Sequence, residues 1–301
     1  MITGFSIILD EDVLYCSNED KYSLFETILF IEKLINSINP KHIWRLNSIF
    51  FEDNGTNEGI IIEHIITKEN RNLFYCISGN FDISSQETHD MINEFHEKIE
   101  ASYNSIELLE KASKSSMLND MISLTIDYIK LKYSDNVGSV KKDKDIETQV
   151  IDFDNGNKIL YCGISNQGLP IISKLYNIDF IDTLKEDSND EKIEVFSSKL
   201  SAKLATIAMN TLIRAQTNIK EIHIHDLRDD LENIVILYGY IHGYSLDFVA
   251  SGDLFQISNK FLELKEKISK EEILSEDFVG DLKPFKHLNK YLNNLIQESA
   301  K

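Results

Sequence analysis

The segment of this chain that most resembles a catalytic or metal-binding motif is His223-Ile-His225-Asp226. Alternate side chains of a β-strand point to the same face, so both imidazoles could approach one metal ion. Two ligands are too few for a zinc site, and Asp226 would face the opposite side unless the strand ends there. No further histidine stands at a metal-site spacing nearby. The pattern therefore favours a strand end with partly exposed histidines.

A second candidate motif contains two glycines, Gly163 and Gly168, five residues apart. Leu169 and Pro170 follow where a phosphate-binding loop needs lysine and then serine or threonine, so we interpret 163–168 as the turn between two strands. The sequence contains no Gly-x-Ser-x-Gly elbow, no dinucleotide-binding fingerprint and no His-Glu-x-x-His. We therefore expect a protein that is not an enzyme, with no catalytic residue, no metal and no cofactor.

The charge balance excludes several classes of partner. The 301 residues contain 50 Asp and Glu against 31 Lys and Arg, a net charge of −19. Nucleic-acid binding needs clustered basic residues, and charge alone would not hold this chain on an anionic membrane. No apolar run approaches the roughly 20 residues of a transmembrane helix, and the acidic N-terminal segment is a poor secretory signal. The odd cysteine count is typical of reduced thiols in a cytoplasmic protein.

The same order of elements is predicted twice: two strands, a long helix, three strands and further helices. This repetition predicts an α+β protein with one domain at 1–133 and a second at 155–301. The stretch 134–154, with Lys-Lys-Asp-Lys-Asp near its middle, is polar enough to be a linker. Each domain has enough elements to close its own core.

Individual elements follow from caps, turns and periodicity. Capping-box spacing predicts helices that begin at Ser23 and Ser84, and acidic residues at 185–191 indicate a loop. The predicted strands lie at 4–10, 13–17, 43–51, 59–67, 73–82, 159–164, 168–173, 221–226, 233–241 and 245–250. The predicted helices lie at 23–38, 84–103, 117–133, 194–215 and 254–268, with a last one from about Pro284.

The segment Phe74-Tyr-Cys-Ile-Ser-Gly-Asn-Phe-Asp82, which runs into the helix at 87–103, resembles the fifth strand and following helix of a longin domain. Gly168-Leu-Pro-Ile and the strands at 234–250 resemble those of roadblock domains. The resemblance to the longin and roadblock superfamily covers nearly the whole chain, although it includes no invariant motif. It implies tandem domains, each a five-stranded antiparallel sheet with flanking helices in the order β-β-α-β-β-β-α.

Apolar residues outside the sheet-covering stripes of the two long helices indicate a partner surface. Because a helix on one sheet needs a single apolar face, a second stripe predicts another packing surface. The predicted surface comprises Phe25, Leu29, Phe30, Val195, Ala202, Met209 and Ile213. Neighbouring helices of the same domain could also cover these residues, and that alternative stays open.

The resemblance implies a non-catalytic platform, similar to domains that bind small GTPases in trafficking exchange factors, adaptor complexes and bacterial polarity regulators. We therefore expect a cytoplasmic two-domain scaffold that binds, and in one version regulates, a small GTPase. Its partner could also be another longin or roadblock protein or a second copy of this chain, and a partner could bring it to membranes. One alternative is a small-molecule-sensing module with a cavity between sheet and helices. The weaker alternative is a metal-dependent hydrolase that uses His223 and His225.

Overall fold

The structure is a computed structural model that describes residues 2–38, 44–52, 58–81, 85–133, 156–177, 190–226 and 233–297. Within these residues the fold is α+β, with ten strands and seven α-helices. The neighbouring strands within each unit pair antiparallel. The predicted α+β class is therefore confirmed. The linker predicted at 134–154 lies outside the described residues.

Contacts divide the chain into two compact units, but not at a single point. The first unit contains 1–30 and 46–146, and the second contains 31–45 and 147–301. The segment 31–45, which includes the end of the first long helix, thus groups with the C-terminal half of the chain.

Strands of the first unit lie in the order β2-β1-β5-β4-β3. A hairpin of β1 and β2 turns at Asp10, whose carboxylate accepts from Arg71 Nε at 2.6 Å and from the Asn72 amide at 2.9 Å. Its elements are β1 (Ile2–Leu9), β2 (Asp12–Cys16), α1 (Tyr22–Asn36), β3 (Trp44–Glu52), β4 (Gly59–Ile66), β5 (Asn72–Gly79), α2 (Gln86–Ser102), α3 (Ile106–Ser113) and α4 (Ser116–Tyr133).

Helices α2, α3 and α4 cover one face of this sheet and form the core of the first unit. Phe95 of α2 packs edge-on against Phe5 of β1 and Tyr75 of β5, with ring centroids 5.1 and 5.9 Å apart. Helix α1 lies on the opposite face, because a side-chain carbon added at Gly4 would meet the Phe25 ring at 3.5 Å. Both faces of the sheet are therefore covered.

The second unit repeats this topology, since its strands lie in the order β7-β6-β10-β9-β8. Its elements are β6 (Lys158–Asn166), β7 (Leu169–Leu175), α5 (Asp190–Ala215), β8 (Asn218–Asp226), β9 (Asn233–Ile241), β10 (Tyr244–Ser251), α6 (Leu254–Ser269) and α7 (Asn289–Gln297), with a 3-10 turn, Lys283–Leu288, before α7. Helices α6 and α7 and the 3-10 turn pack on one face, where Phe248 meets Phe261 at 5.8 Å. Helix α5 packs on β6, β7, β8 and β10.

Several helix boundaries differ from those predicted from the sequence. Ser23 lies inside α1, because a 3-10 turn capped by the Asn18 side chain leads directly into the helix at Tyr22. Ser84 lies outside the described residues, and Ser85 is the N-cap of α2. Helix α5 begins at Asp190, four residues before the predicted start, and so includes the last two residues of the predicted loop at 185–191.

Two further differences concern short elements. Helix α3 was not predicted, because eight residues show too little periodicity; the Ser105 hydroxyl caps it by accepting from the Leu108 amide at 3.3 Å. The predicted turn at 163–168 is wrong, because β6 continues to Asn166. The turn consists of Gln167 and Gly168, which both have positive φ angles of 47° and 81°.

The carboxylate of Glu271, just after α6, stabilises the position of the C-terminal helix. Glu271 accepts hydrogen bonds from Lys290 Nζ at 2.8 Å, from the Tyr291 hydroxyl, and from His287 Nε2 at 2.8 Å. The bonds from Lys290 and Tyr291 lower the pKa of Glu271 to about 2. Since the folded pKa lies below the ordinary value, this contribution to stability is complete above about pH 4.5 and is lost toward pH 2.

We expect Glu271→Gln to lower the free energy of unfolding at pH 7 by about 1 kcal/mol, because the charge-assisted bonds to partly exposed partners are lost. Urea unfolding of the full chain at pH 7 and pH 2.5 measures the effect, and the difference from wild type should shrink at the lower pH. Glu272→Gln, on the exposed neighbouring residue, is the control. Equal stability of the two variants at pH 7 would show that this cluster does not fasten α7.

Candidate functional site

The two histidines of the sequence motif have separate partners. Both lie half-buried on β8, where His223 Nε2 pairs with Glu221 Oε1 and His225 Nδ1 lies 3.2 Å from Asn233 Oδ1. Within the described part of the chain, no group of three or more His, Cys, Asp or Glu side chains is placed to hold a metal ion. Each imidazole therefore has its own polar neighbour among the described residues.

Helix α1 buries one of the predicted partner residues and half-buries two. Phe25 has no exposed surface and packs over Gly4 of β1. Leu29 and Phe30 are half-buried. The exposed part of the predicted surface consequently lies on α5.

Along α5 the predicted stripe is exposed at both ends and covered in its middle. Val195 is 50% exposed and Ile213 is 65% exposed, whereas Ala202 and Met209 are half-buried. The Met209 sulfur would lie 3.2 Å from a side-chain carbon added at Gly168, so it packs on the β6–β7 turn. Leu212, 49% exposed and absent from the predicted surface, extends the apolar end of the helix.

The inner face of α5 covers an unexpected layer of polar side chains on the sheet. Gly163 of β6 and Tyr238 of β9 are both register partners of Asp247 on β10, and Ser165 is the partner of Ser245. Directly paired residues of antiparallel strands share a face, so these residues point to one side of the sheet. We call Tyr161, Ser165, Ser201, Tyr238, Ser245 and Asp247 the Asp247 cluster.

Asp247 is fully buried, and only one of its carboxyl oxygens has a partner. The Ser245 hydroxyl donates to Oδ1, while Oδ2 has no hydrogen-bond partner among the described residues. Burial raises the pKa of Asp247 to about 7, and the Ser245 and Ser165 hydroxyls offset part of that rise. A carboxyl group in this setting is easiest to keep as the neutral acid.

Three hydroxyl groups near Asp247 also lack partners among the described residues: those of Tyr161, Tyr238 and Ser201. Burial, followed by the neighbouring Asp247, raises the pKa of both tyrosines well above the ordinary value. Ser201 and Ser173 act on Tyr161 in the opposite direction, yet the Tyr161 hydroxyl forms no hydrogen bond of ordinary geometry with either. Buried polar atoms normally form hydrogen bonds. Four buried polar atoms without a partner in one cluster therefore indicate a bridging molecule or a functional role.

Gly163 makes room for this arrangement. A side-chain carbon at Gly163 would lie 2.0 Å from the Tyr161 hydroxyl, which is an impossible contact. The glycine that resembled part of a loop in the sequence is thus a strand residue over which the Tyr161 ring lies. The sequence signal for the whole cluster was an aspartate inside the otherwise apolar run Leu246-Asp-Phe-Val-Ala250.

A groove of about 510 Å³ lies beside the outer strand of the second unit. Strand β7, the beginning of α5 and the 3-10 turn Lys283–Leu288 line it. Polar side chains such as Ser173, Ser197 and Lys286 lie beside apolar ones such as Ile171 and Ile193. Its size is that of a small-molecule site.

Comparisons with known proteins do not assign a family. No protein-family model and no curated protein matches the chain. A solved structure of an RNA-binding light-oxygen-voltage receptor is similar over 88% of this chain and 99% of that chain, at 8% identity and a TM-score of 0.17. A TM-score this low carries no argument about fold or function.

No helix in the described ranges combines the length and the apolar character needed to cross a bilayer. The described cysteines Cys16, Cys76 and Cys162 are free thiols.

We expect the double variant His223→Gln, His225→Gln to keep the stability of the wild-type chain, because both positions are half-buried and glutamine can also hydrogen-bond to Glu221 and Asn233. Thermal unfolding measures stability, and elemental analysis measures bound zinc in both proteins. Stoichiometric zinc that is present in the wild type and absent from the double variant would instead support the alternative of a metal-dependent hydrolase.

Proposed function

We propose that this chain is a non-catalytic two-domain scaffold that binds a small GTPase through the outer face of α5. The observation that carries the proposal is the apolar surface at the ends of α5, formed by Val195, Leu212 and Ile213. These residues are exposed on a helix whose opposite face, with Leu200, Leu204 and Ile207, is buried. Leu212 and Ile213 are adjacent at one end of the helix, and a group of neighbouring exposed apolar side chains favours a role in protein association.

The element order supports placing the chain with the longin and roadblock superfamily. Both units follow the order β-β-α-β-β-β-α and the strand order 2-1-5-4-3. In this proposal the domains are 1–133 and 155–301, each with its own five-stranded sheet, joined by the linker at 134–154. That arrangement is what the resemblance implies for such platforms.

The proposed mechanism is binding without covalent chemistry. Apolar residues of α5 would pack against the switch segments of a GTPase, and the chain would favour the switch conformation that fits this surface best. A regulatory effect on nucleotide exchange follows if that conformation differs from the one of highest nucleotide affinity. The scaffold would act in the cytoplasm, in trafficking or polarity control, and would reach membranes through its partner.

Another longin or roadblock protein, or a second copy of this chain, is the other partner that the surface would fit. Lys203 Nζ of α5 donates to the carbonyl oxygen of Ser37, just beyond α1, and both residues belong to the second unit. The middle of α5 therefore already packs within the unit, which leaves its ends as the surface for a partner.

A small-molecule-sensing module is the second candidate function. The observation that favours it is the groove of about 510 Å³ beside β7, where apolar and polar groups converge. A saturable thermal shift with a metabolite, lost when Ser198→Trp at the exposed rim fills the groove, would support this candidate over the scaffold.

The scaffold is tested by binding the full chain to a panel of purified small GTPases, each loaded with GDP or with a non-hydrolysable GTP analogue. We expect saturable binding that prefers one nucleotide state. Val195→Lys with Ile213→Lys should weaken it at least about tenfold, since two apolar contacts of roughly 1.5–3 kcal/mol each are replaced by charges.

Val279→Lys with Leu262→Lys is the matched control, because these residues are 88% and 57% exposed and lie outside α5. It adds the same charge and should leave binding unchanged. Equal loss in the control and the α5 variant would assign binding to net charge rather than to α5. Absence of binding to every GTPase in both nucleotide states would count against the proposal.

A further inference from the structure

We propose that the Asp247 cluster is an internal site that binds one proton and a bridging water, and that proton binding keeps α5 closed on the sheet. The site lies wholly within the second unit, and the observations behind it do not include the apolar ends of α5 on which the proposed GTPase binding rests. The site takes up a water molecule from solvent and a proton from the bulk solution.

The buried polar atoms without partners indicate a bound water. Asp247 Oδ2 and the hydroxyls of Tyr161, Tyr238 and Ser201 are all buried, and none forms a hydrogen bond with another described residue. Tyr161 and Tyr238 both interact electrostatically with Asp247, and Ser201 acts on Tyr161, so the four groups are neighbours. Polar groups that face one another without direct bonds are commonly joined by a buried water with two to four partners.

The titratable groups around Asp247 indicate that its carboxyl group holds a proton. The titratable groups that act on or near Asp247 are Tyr161 and Cys162 of β6 and Tyr238 and Tyr240 of β9. Each of them is neutral before it loses a proton and negative afterwards, so none can neutralise a carboxylate. A proton on Asp247 itself is therefore the available way to remove the buried charge.

The basic residues described on the elements around the cluster are bonded elsewhere or exposed. Lys174 of β7 donates to Asn293, and Lys203 of α5 donates to the Ser37 carbonyl oxygen. Lys199 and Arg214 of α5 are exposed, as is Lys220 of β8. Toward the cluster, β7 and α5 present the hydroxyls of Ser173, Ser197 and Ser201.

Ionisation of Asp247 thus opposes the closed position of α5. An ionised carboxylate buried without a cation is strongly unfavourable, and outward movement of α5 would admit water to solvate it. Burial raises the pKa of Asp247 from 3.8 to about 7 in the folded chain. The folded state then binds more protons than the unfolded state between these values, so stability falls as pH rises from about 4 to about 7 and is level above that range.

Asp247→Asn removes the titration while it keeps the size of the side chain. We expect the unfolding equilibrium constant of the wild-type full chain to rise on the order of a thousandfold more than that of the variant between pH 4 and pH 8, from a difference of about three pH units. Urea unfolding across this range measures it. Asp277→Asn, on an exposed residue of the same unit, should follow wild type.

Hydrogen exchange locates the change. Above pH 7, amides of α5 should exchange faster in wild type than in Asp247→Asn after correction for intrinsic rates, while amides of α6 should match in the two proteins. Parallel pH profiles of wild type and Asp247→Asn would overturn the proposal. If the variant does not fold, a carbon-detected titration of the Asp247 carboxyl in wild type decides: a midpoint at or above about 6 supports the site, and a lower one refutes it.

Tyr161→Phe tests the bridging water. If a water joins this hydroxyl to its neighbours, its loss should raise the unfolding equilibrium constant about fivefold. If the hydroxyl is buried without any partner, the variant should be as stable as wild type or more so, which would contradict the bridged site.

Discussion

Helices cover both faces of the sheet in each unit, and this constraint governs the rest of the structure. Every residue of β10 is buried, as is every residue of β5 except its first. A strand in this setting has no solvent-exposed side on which to place a polar group. Each polar side chain in such a strand must find a partner inside the protein or stay neutral.

The two faces of the second unit meet this constraint differently. The face under α6 and α7 is filled by aromatic and aliphatic side chains such as Phe248, Phe261 and Leu292. The face under α5 contains the Asp247 cluster and the close packing of Tyr161 over Gly163. In the first unit the corresponding face, under α1, includes the neutral groups Ser6, Cys76 and Ser78 on β1 and β5. Among the described residues, the sheet surface under α5 is therefore more polar than the one under α1.

Helix α5 connects the two features of functional interest in the second unit. Its inner face covers Asp247, and its ends expose Val195, Leu212 and Ile213. A change in the buried layer would alter the position of the same helix that presents these apolar groups. Proton binding inside the unit and association at its surface would then be coupled, because both depend on one rigid element.

Periodicity and turn residues were enough to predict the strands and long helices, since these signals are local properties of the chain. They also predicted the repeated order of elements. Local signals were weaker for α3 and for the start of α5, where the predicted elements were missing or too short.

Which apolar residues are exposed and which polar residues meet depends on tertiary packing. Helical periodicity placed Phe25 and Ile213 in one class, yet packing buries the first and exposes the second. Tyr161, Ser201, Tyr238 and Asp247 come from four elements spread over more than eighty residues of sequence. No local pattern joins them, because register between strands and the docking of α5 arise from long-range pairing.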